Sequence, residues 1–223
     1  MLDFLGTIAT AGLTVFIVAT LLVCIEMSRD AKIVLAGLLG LWIGFAAAAG
    51  AAGWLAIPRP APVMGIFVAA PLLAAAIATA WPKARKAMLS LPLPLMVGLN
   101  IGRVFAVLFL LLGTAGRLSG PFPYSAGWGD IITGVVALPL ISLARQSTRH
   151  RVVLHAWNAF GMLDLVAAIV VGVASARDSV LQIFPPPGSE AMQYLPWSFV
   201  PTVLVPIWMV MHAIIFVRVR RAR

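Results

Sequence analysis

The chain has 223 residues, of which 62% are hydrophobic and only 10% charged, and its mean hydropathy is +1.04, whereas an ordinary soluble domain carries roughly a quarter charged residues. No water-soluble fold covers that much apolar surface, so composition excludes a soluble enzyme or binding domain. A net charge of +9 would point to nucleic acid in a soluble protein, but here the basic residues sit in short clusters between apolar runs, which reads as a topology signal and argues against nucleic-acid binding.

Several runs reach the ~20 apolar residues that cross a hydrocarbon core as helix. Together they predict an all-α integral membrane bundle of about seven transmembrane helices, in one polytopic domain over 1–223. The first helix covers about 4–27. Asp3 stands where a signal peptide would be basic, and the apolar core is longer than an h-region, so this helix is expected to stay attached. It holds Cys24, the single cysteine, which excludes an intramolecular disulfide and a cysteine-based metal cluster.

Helix 2, about 33–57, carries Ala36, Gly40, Gly44 and Ala48 at four-residue spacing. That small-residue ribbon lets two helices approach closely, so Gly40 and Gly44 mark a helix–helix contact. Helix 3 spans about 63–81 with Pro71 inside it, and helix 4 about 93–114 after the Leu91–Pro94 stretch. Prolines there fit a helix start or a tolerated membrane kink. Helix 5 covers about 125–144 and helix 6 about 152–175. Helix 7 covers about 197–217, with Pro201 and Pro206 inside it.

The basic residues between these runs alternate in density. Arg29 and Lys32, then Lys83, Arg85 and Lys86, then Arg145, Arg149 and Arg151, then Arg218, Arg220, Arg221 and Arg223 would share one side, leaving Arg59, Arg117 and Arg177 on the other. The positive-inside rule then puts the N-terminus outside and the C-terminus in the cytoplasm. The Ala, Gly and Arg bias favours a bacterial inner membrane. The two longest connections, 116–124 and 176–196, would lie together on the outer face, either as spacers or as functional loops.

Ionisable groups at mid-membrane depth cost roughly 2.5–3.5 kcal/mol each on insertion scales, so they face protein or water and have partners. Arg103 falls near the middle of helix 4, with Asn100 on the same face at i,i+3 spacing. Asp164 falls near the middle of helix 6 beside Gly161. Asp130 follows Gly127, Trp128 and Gly129 in helix 5, and Thr133 and Gly134 continue its face. Asn100, Arg103, Asp130 and Asp164 thus form a candidate polar site. Two bland readings stand beside it: an Arg103–Asp164 pair that only fixes helix register, and an Asp130 that only complements a helix N-terminus.

Glu26, His155 and His212 are expected at similar depth near the cytoplasmic end. They are candidate ligands for a divalent metal, or for haem through the two histidines, although each is on a different helix and no spacing signature joins them.

Gly127, Trp128, Gly129 and Asp130 resemble the GxGD signature of intramembrane aspartyl proteases, and Asp164 would be the second carboxylate of the dyad which that resemblance implies. The order of the aspartates and the outward placement of the motif both depart from that family. Seven helices with the N-terminus outside resemble the rhodopsin plan, but helix 7 has no lysine for a retinal Schiff base. His150, His155 and His212 lack the spacing of the seven-helix zinc hydrolases. No cofactor is predicted. The first expectation is a protein that binds or transports a small solute or ion through the Arg/Asp site, with Arg103 and an aspartate exchanging partners. The alternative is a non-catalytic assembly subunit whose charges lock helices together.

Overall fold

The computed structural model describes residues 1–56 and 60–221, the side chains of 60–62 excepted. Arg59, Arg223 and the helix 2 end at Ile57 therefore lie outside the described residues. Among the described residues all regular structure is helical: α1 Leu2–Cys24, α2 Arg29–Ala51, α3 Pro60–Ala78, α4 Pro82–Ser90, α5 Leu93–Leu99, α6 Val107–Thr114, α7 Phe122–Ala144, α8 Arg151–Ser175 and α9 Val205–Arg221, with short 3₁₀ and π turns between them. Among the described residues six helices are long and apolar enough to cross a membrane, or up to seven if Val63–Ala78 and Pro82–Ser90, bent by 109°, count as one span. This is a multi-pass membrane protein.

Three departures from the sequence reading have local causes. The third run breaks at Thr79–Trp81, because the Pro82 ring fits the first turn of a new helix. That helix, α4, carries Lys83, Arg85 and Lys86 and is too polar to continue the span. The fourth run, Leu93–Thr114, is one span by length, but its middle is a 3₁₀ stretch over Asn100–Ala106, a tightening that in mid-helix accompanies strain or function. The last span opens with a π turn over Val200–Leu204. Pro206 offers no N–H to the Thr202 carbonyl, and the Trp42 indole of α2 donates to it instead, at 3.0 Å.

Side-chain contacts sort the helix ends into two groups. Glu26 N–H donates to Ser90 Oγ, Lys32 to the Val23 carbonyl and Arg218 to the Leu89 carbonyl, gathering most basic residues at one end, here termed the basic end. At the opposite end Arg117 Nη1 and Trp197 Nε1 both donate to Asp3 Oδ1, at 2.6 and 2.8 Å. The two long connections meet there. Ser119 N–H donates to the Gly188 carbonyl at 3.0 Å and Gly188 N–H to Ser119 Oγ at 2.9 Å, while Ser189 Oγ donates to the Gly172 carbonyl at 2.7 Å. Gly188 has φ +49° and lies against the Ser175 carbonyl where a Cβ would collide, so the fold-back of this connection requires glycine.

The core is built by the last spans. α7 packs against the Leu93–Thr114 span and α8, and α8 packs against α9. Of the apolar windows, 61% is buried in the last span but 17% in α1 and in α2. α1 buries a narrow stripe of Gly6, Thr10, Thr14 and Ile17, with Gly6 tight against the Trp197 ring. Among the described residues nothing packs on the ribbon of α2. Ala36, Gly40, Gly44 and Ala48 are exposed, and nothing lies within 4 Å of a Cβ built at Gly40 or Gly44.

Candidate functional site

A buried arginine organises the middle of the bundle. Arg103 projects from the 3₁₀ stretch and is fully enclosed. Its Nε donates to Asp130 Oδ1 of α7 at 2.5 Å and its Nη2 to Asp164 Oδ2 of α8 at 2.6 Å. Nη1 donates to the Gly161 carbonyl at 3.2 Å and to His212 Nε2 of α9 at 3.0 Å. The guanidinium lies 5.8 Å from the centroid of the Trp208 ring, a cation–π distance. Four spans thus converge on one cation, and both carboxylate side chains are under a tenth exposed.

The hydrogen bonds fix the histidine tautomer. Arginine has no acceptor, so His212 Nε2 must accept and the ring proton sits on Nδ1. Nδ1–H then donates to Asn158 Oδ1 at 2.8 Å, and Asn158 Nδ2 donates to the His212 carbonyl at 3.1 Å. A neutral histidine locked by an asparagine completes the shell. With both aspartates ionised, one cation faces two anions and the cluster carries a formal charge of −1.

Close approach of α7 and α8 depends on two glycines. A Cβ at Gly129 would overlap the Asp164 carboxylate, and one at Gly161 would come within 2.6 Å of the His212 ring. The glycine beside Asp130 in the GxGD-like run therefore has a steric explanation, making room for the second carboxylate. Both aspartates accept from the same guanidinium, which stands between them, whereas a protease dyad shares a single proton.

The structure brings Arg103, Asp130 and Asp164 together but turns Asn100 away. Its Nδ2 donates to the Met96 carbonyl at 2.9 Å, and its buried Oδ1 has no partner among the described residues. Thr133 also bonds within its own helix, to the Gly129 carbonyl at 2.9 Å. His212, expected near the basic end with Glu26 and His155, is instead in the central cluster. α9 runs on to Arg221, nine residues past His212, or about 13 Å at 1.5 Å per residue, so that depth was open to counting back from the terminal arginines. His155 is elsewhere, edge-on to Phe216 at 5.4 Å. Among the described residues no three His, Cys, Asp or Glu are grouped to hold a metal ion.

A cavity of about 100 Å³ reaches this cluster. Met64, Gly65 and Val68 of α3 form one wall, Leu165, Ala168 and Ile169 of α8 another, and Val200, Pro201 and Val205 the floor. Among the described residues Asp130 is the ionisable one in its lining, and Gln193, whose buried Nε2 has no partner among them, lines it as well.

The chain belongs to the family described as Domain of unknown function (DUF8737), which matches residues 60–220. Every residue of the Arg103 cluster lies within that match, and α1 and α2 lie outside it. No curated protein and no solved structure matches the chain.

Proposed function

We propose that the chain binds a proton or small cation at Asp130 and carries it across a bacterial inner membrane, with Arg103 as the positive charge that balances the aspartates. The observation that carries this reading is the two-to-one arrangement of carboxylates around a fully buried guanidinium, with one of those carboxylates on the cavity. Arg103 already donates to four partners, so an incoming anion would have to displace a carboxylate and would add negative charge to a cluster that stands at −1 when both aspartates are ionised. A proton or cation arriving through the cavity meets the opposite situation. Asp130 releases Arg103 to take it, Asp164 keeps the guanidinium, and the cluster becomes neutral. An uncompensated charge in a desolvated site is costly, so uptake is favoured and release needs a rearrangement. The 3₁₀ stretch bearing Arg103 is the element placed to provide that rearrangement.

The test is flux in proteoliposomes of the purified chain, with a pH-sensitive dye or a monovalent-cation reporter inside. Wild-type protein should dissipate an imposed proton or cation gradient, and Asp130→Asn should abolish the flux while the protein remains folded. Equal flux from the two would remove Asp130 from the pathway. A second reading, an assembly subunit, draws on the exposed ribbon at Gly40 and Gly44. On that reading apolar replacement of Arg103, Asp130 and Asp164 together leaves assembly intact and no flux is seen in wild type.

A further inference from the structure

A second cleft lies at the basic end, apart from the Arg103 cluster. It holds about 570 Å³ and is lined by Pro92, Leu93 and Pro94 at the start of α5, Ala144, Arg145 and Ser147 at the end of α7, and Arg218 and Arg221 at the end of α9. Three guanidiniums and a hydroxyl converge on it, and among the described residues no carboxylate lines it. Arg218 is anchored by its bond to the Leu89 carbonyl. The side chains of Arg145 and Arg221 make no hydrogen bond or ion pair among the described residues and are exposed, so their guanidinium donors are free to meet a ligand in the cleft.

We infer that this cleft is a binding site for the headgroup of an anionic phospholipid, gripped through its phosphate by Arg145, Arg218 and Arg221. Guanidinium matches phosphate geometry in bidentate fashion. The choice of a lipid over free phosphate rests on position. The cleft sits where three membrane spans end, and its inner wall is apolar, with Leu93 and Ala144 both buried. A phosphate held there is at headgroup depth with its acyl chains directed along the helices, and basic pockets between spans take anionic lipids in this way. The lipid would tie together the ends of the spans that carry Arg103, Asp130 and His212, so its occupancy would bear on the packing of the central cluster.

Native mass spectrometry of the purified full chain tests this, using phosphatidylglycerol against phosphatidylcholine with identical acyl chains. Wild type should retain phosphatidylglycerol preferentially. Arg145→Gln with Arg221→Gln should weaken retention by about tenfold or more, since two charge-assisted guanidinium–phosphate contacts are lost. Arg149→Gln with Arg220→Gln removes the same charge outside the cleft and should change retention less than about twofold. Equal loss in the two double variants would reduce the effect to general surface charge and overturn the site. Competition by inorganic phosphate as effective as the lipid would overturn the lipid assignment. Should the cleft variant not fold, phosphatidylglycerol with a photoreactive headgroup on wild-type protein decides the matter. Labelling should fall between Ala144 and Ser147 or between Arg218 and Arg221, and labelling confined to other segments would refute the proposal.

Discussion

Gly129 on α7 leaves to Asp164 on α8 the space its carboxylate occupies, and a side chain at position 129 would overlap that carboxylate. The backbone of one span and the acid of another are therefore fitted to each other, and that acid accepts from Arg103. Gly129→Ala should push α8 away, lengthen the Asp164–Arg103 contact and destabilise the protein by about 1–3 kcal/mol, the usual range for overpacking. Gly40→Ala, where nothing lies within 4 Å, should leave thermal stability unchanged. Equal melting temperatures for both variants would show that the fit at Gly129 is loose.

The two-to-one charge arrangement predicts an unequal mutant series. Arg103→Ala strands two carboxylates and should cost more than the about 3–5 kcal/mol typical of a broken buried pair. Asp130→Ala or Asp164→Ala leaves one cation with one anion, and each should cost less. Adding Asp164→Ala to Arg103→Ala should recover part of the loss, since one stranded charge is gone. Strict additivity in melting temperature would mean that the residues do not interact.

His212 should be neutral with its proton on Nδ1, because Arg103 can only donate to Nε2. Nitrogen chemical shifts of histidine-labelled protein read this directly, and an Nε2–H tautomer would contradict the geometry. Asn158→Leu removes the acceptor for Nδ1–H and should cost about 1–3 kcal/mol through the buried donor left unsatisfied.

Solvent reach separates the cluster residues. In a Cys24→Ser background, a cysteine at position 130 should react with a small thiol reagent that enters the cavity. Cysteines at positions 100 and 103, whose native side chains are fully enclosed, should react far more slowly. Equal rates at all three positions would place the water path elsewhere.

An N-terminus outside is the orientation expected from loop charge, and it can be checked independently of the site. A reporter fused after Arg223 should be cytoplasmic, and an active periplasmic phosphatase at that point would refute an N-terminus outside.

Transbilayer helices were legible in the sequence because an apolar run long enough to span hydrocarbon has few alternatives to helix in lipid. The buried charges were legible for the same reason, since Arg103, Asp130 and Asp164 stand out against apolar surroundings and need partners. Which partners they find is decided by rotation and tilt, and a helix turns a residue to a new face with every 100° step, so hydropathy leaves the choice open. The helices of Asn100 and Arg103 and of Thr133 and Asp130 could be read as sharing a face, yet only the arginine and the aspartates reach one another. The placement of His212 in that shell and the overlap volume that makes Gly129 and Gly161 necessary exist only where four spans meet, and the cavity lined by Asp130 only where α3 packs beside them. The tertiary structure decided them because depth is set by one chain's length along the bilayer normal, while contact is set by how neighbouring helices pack across it.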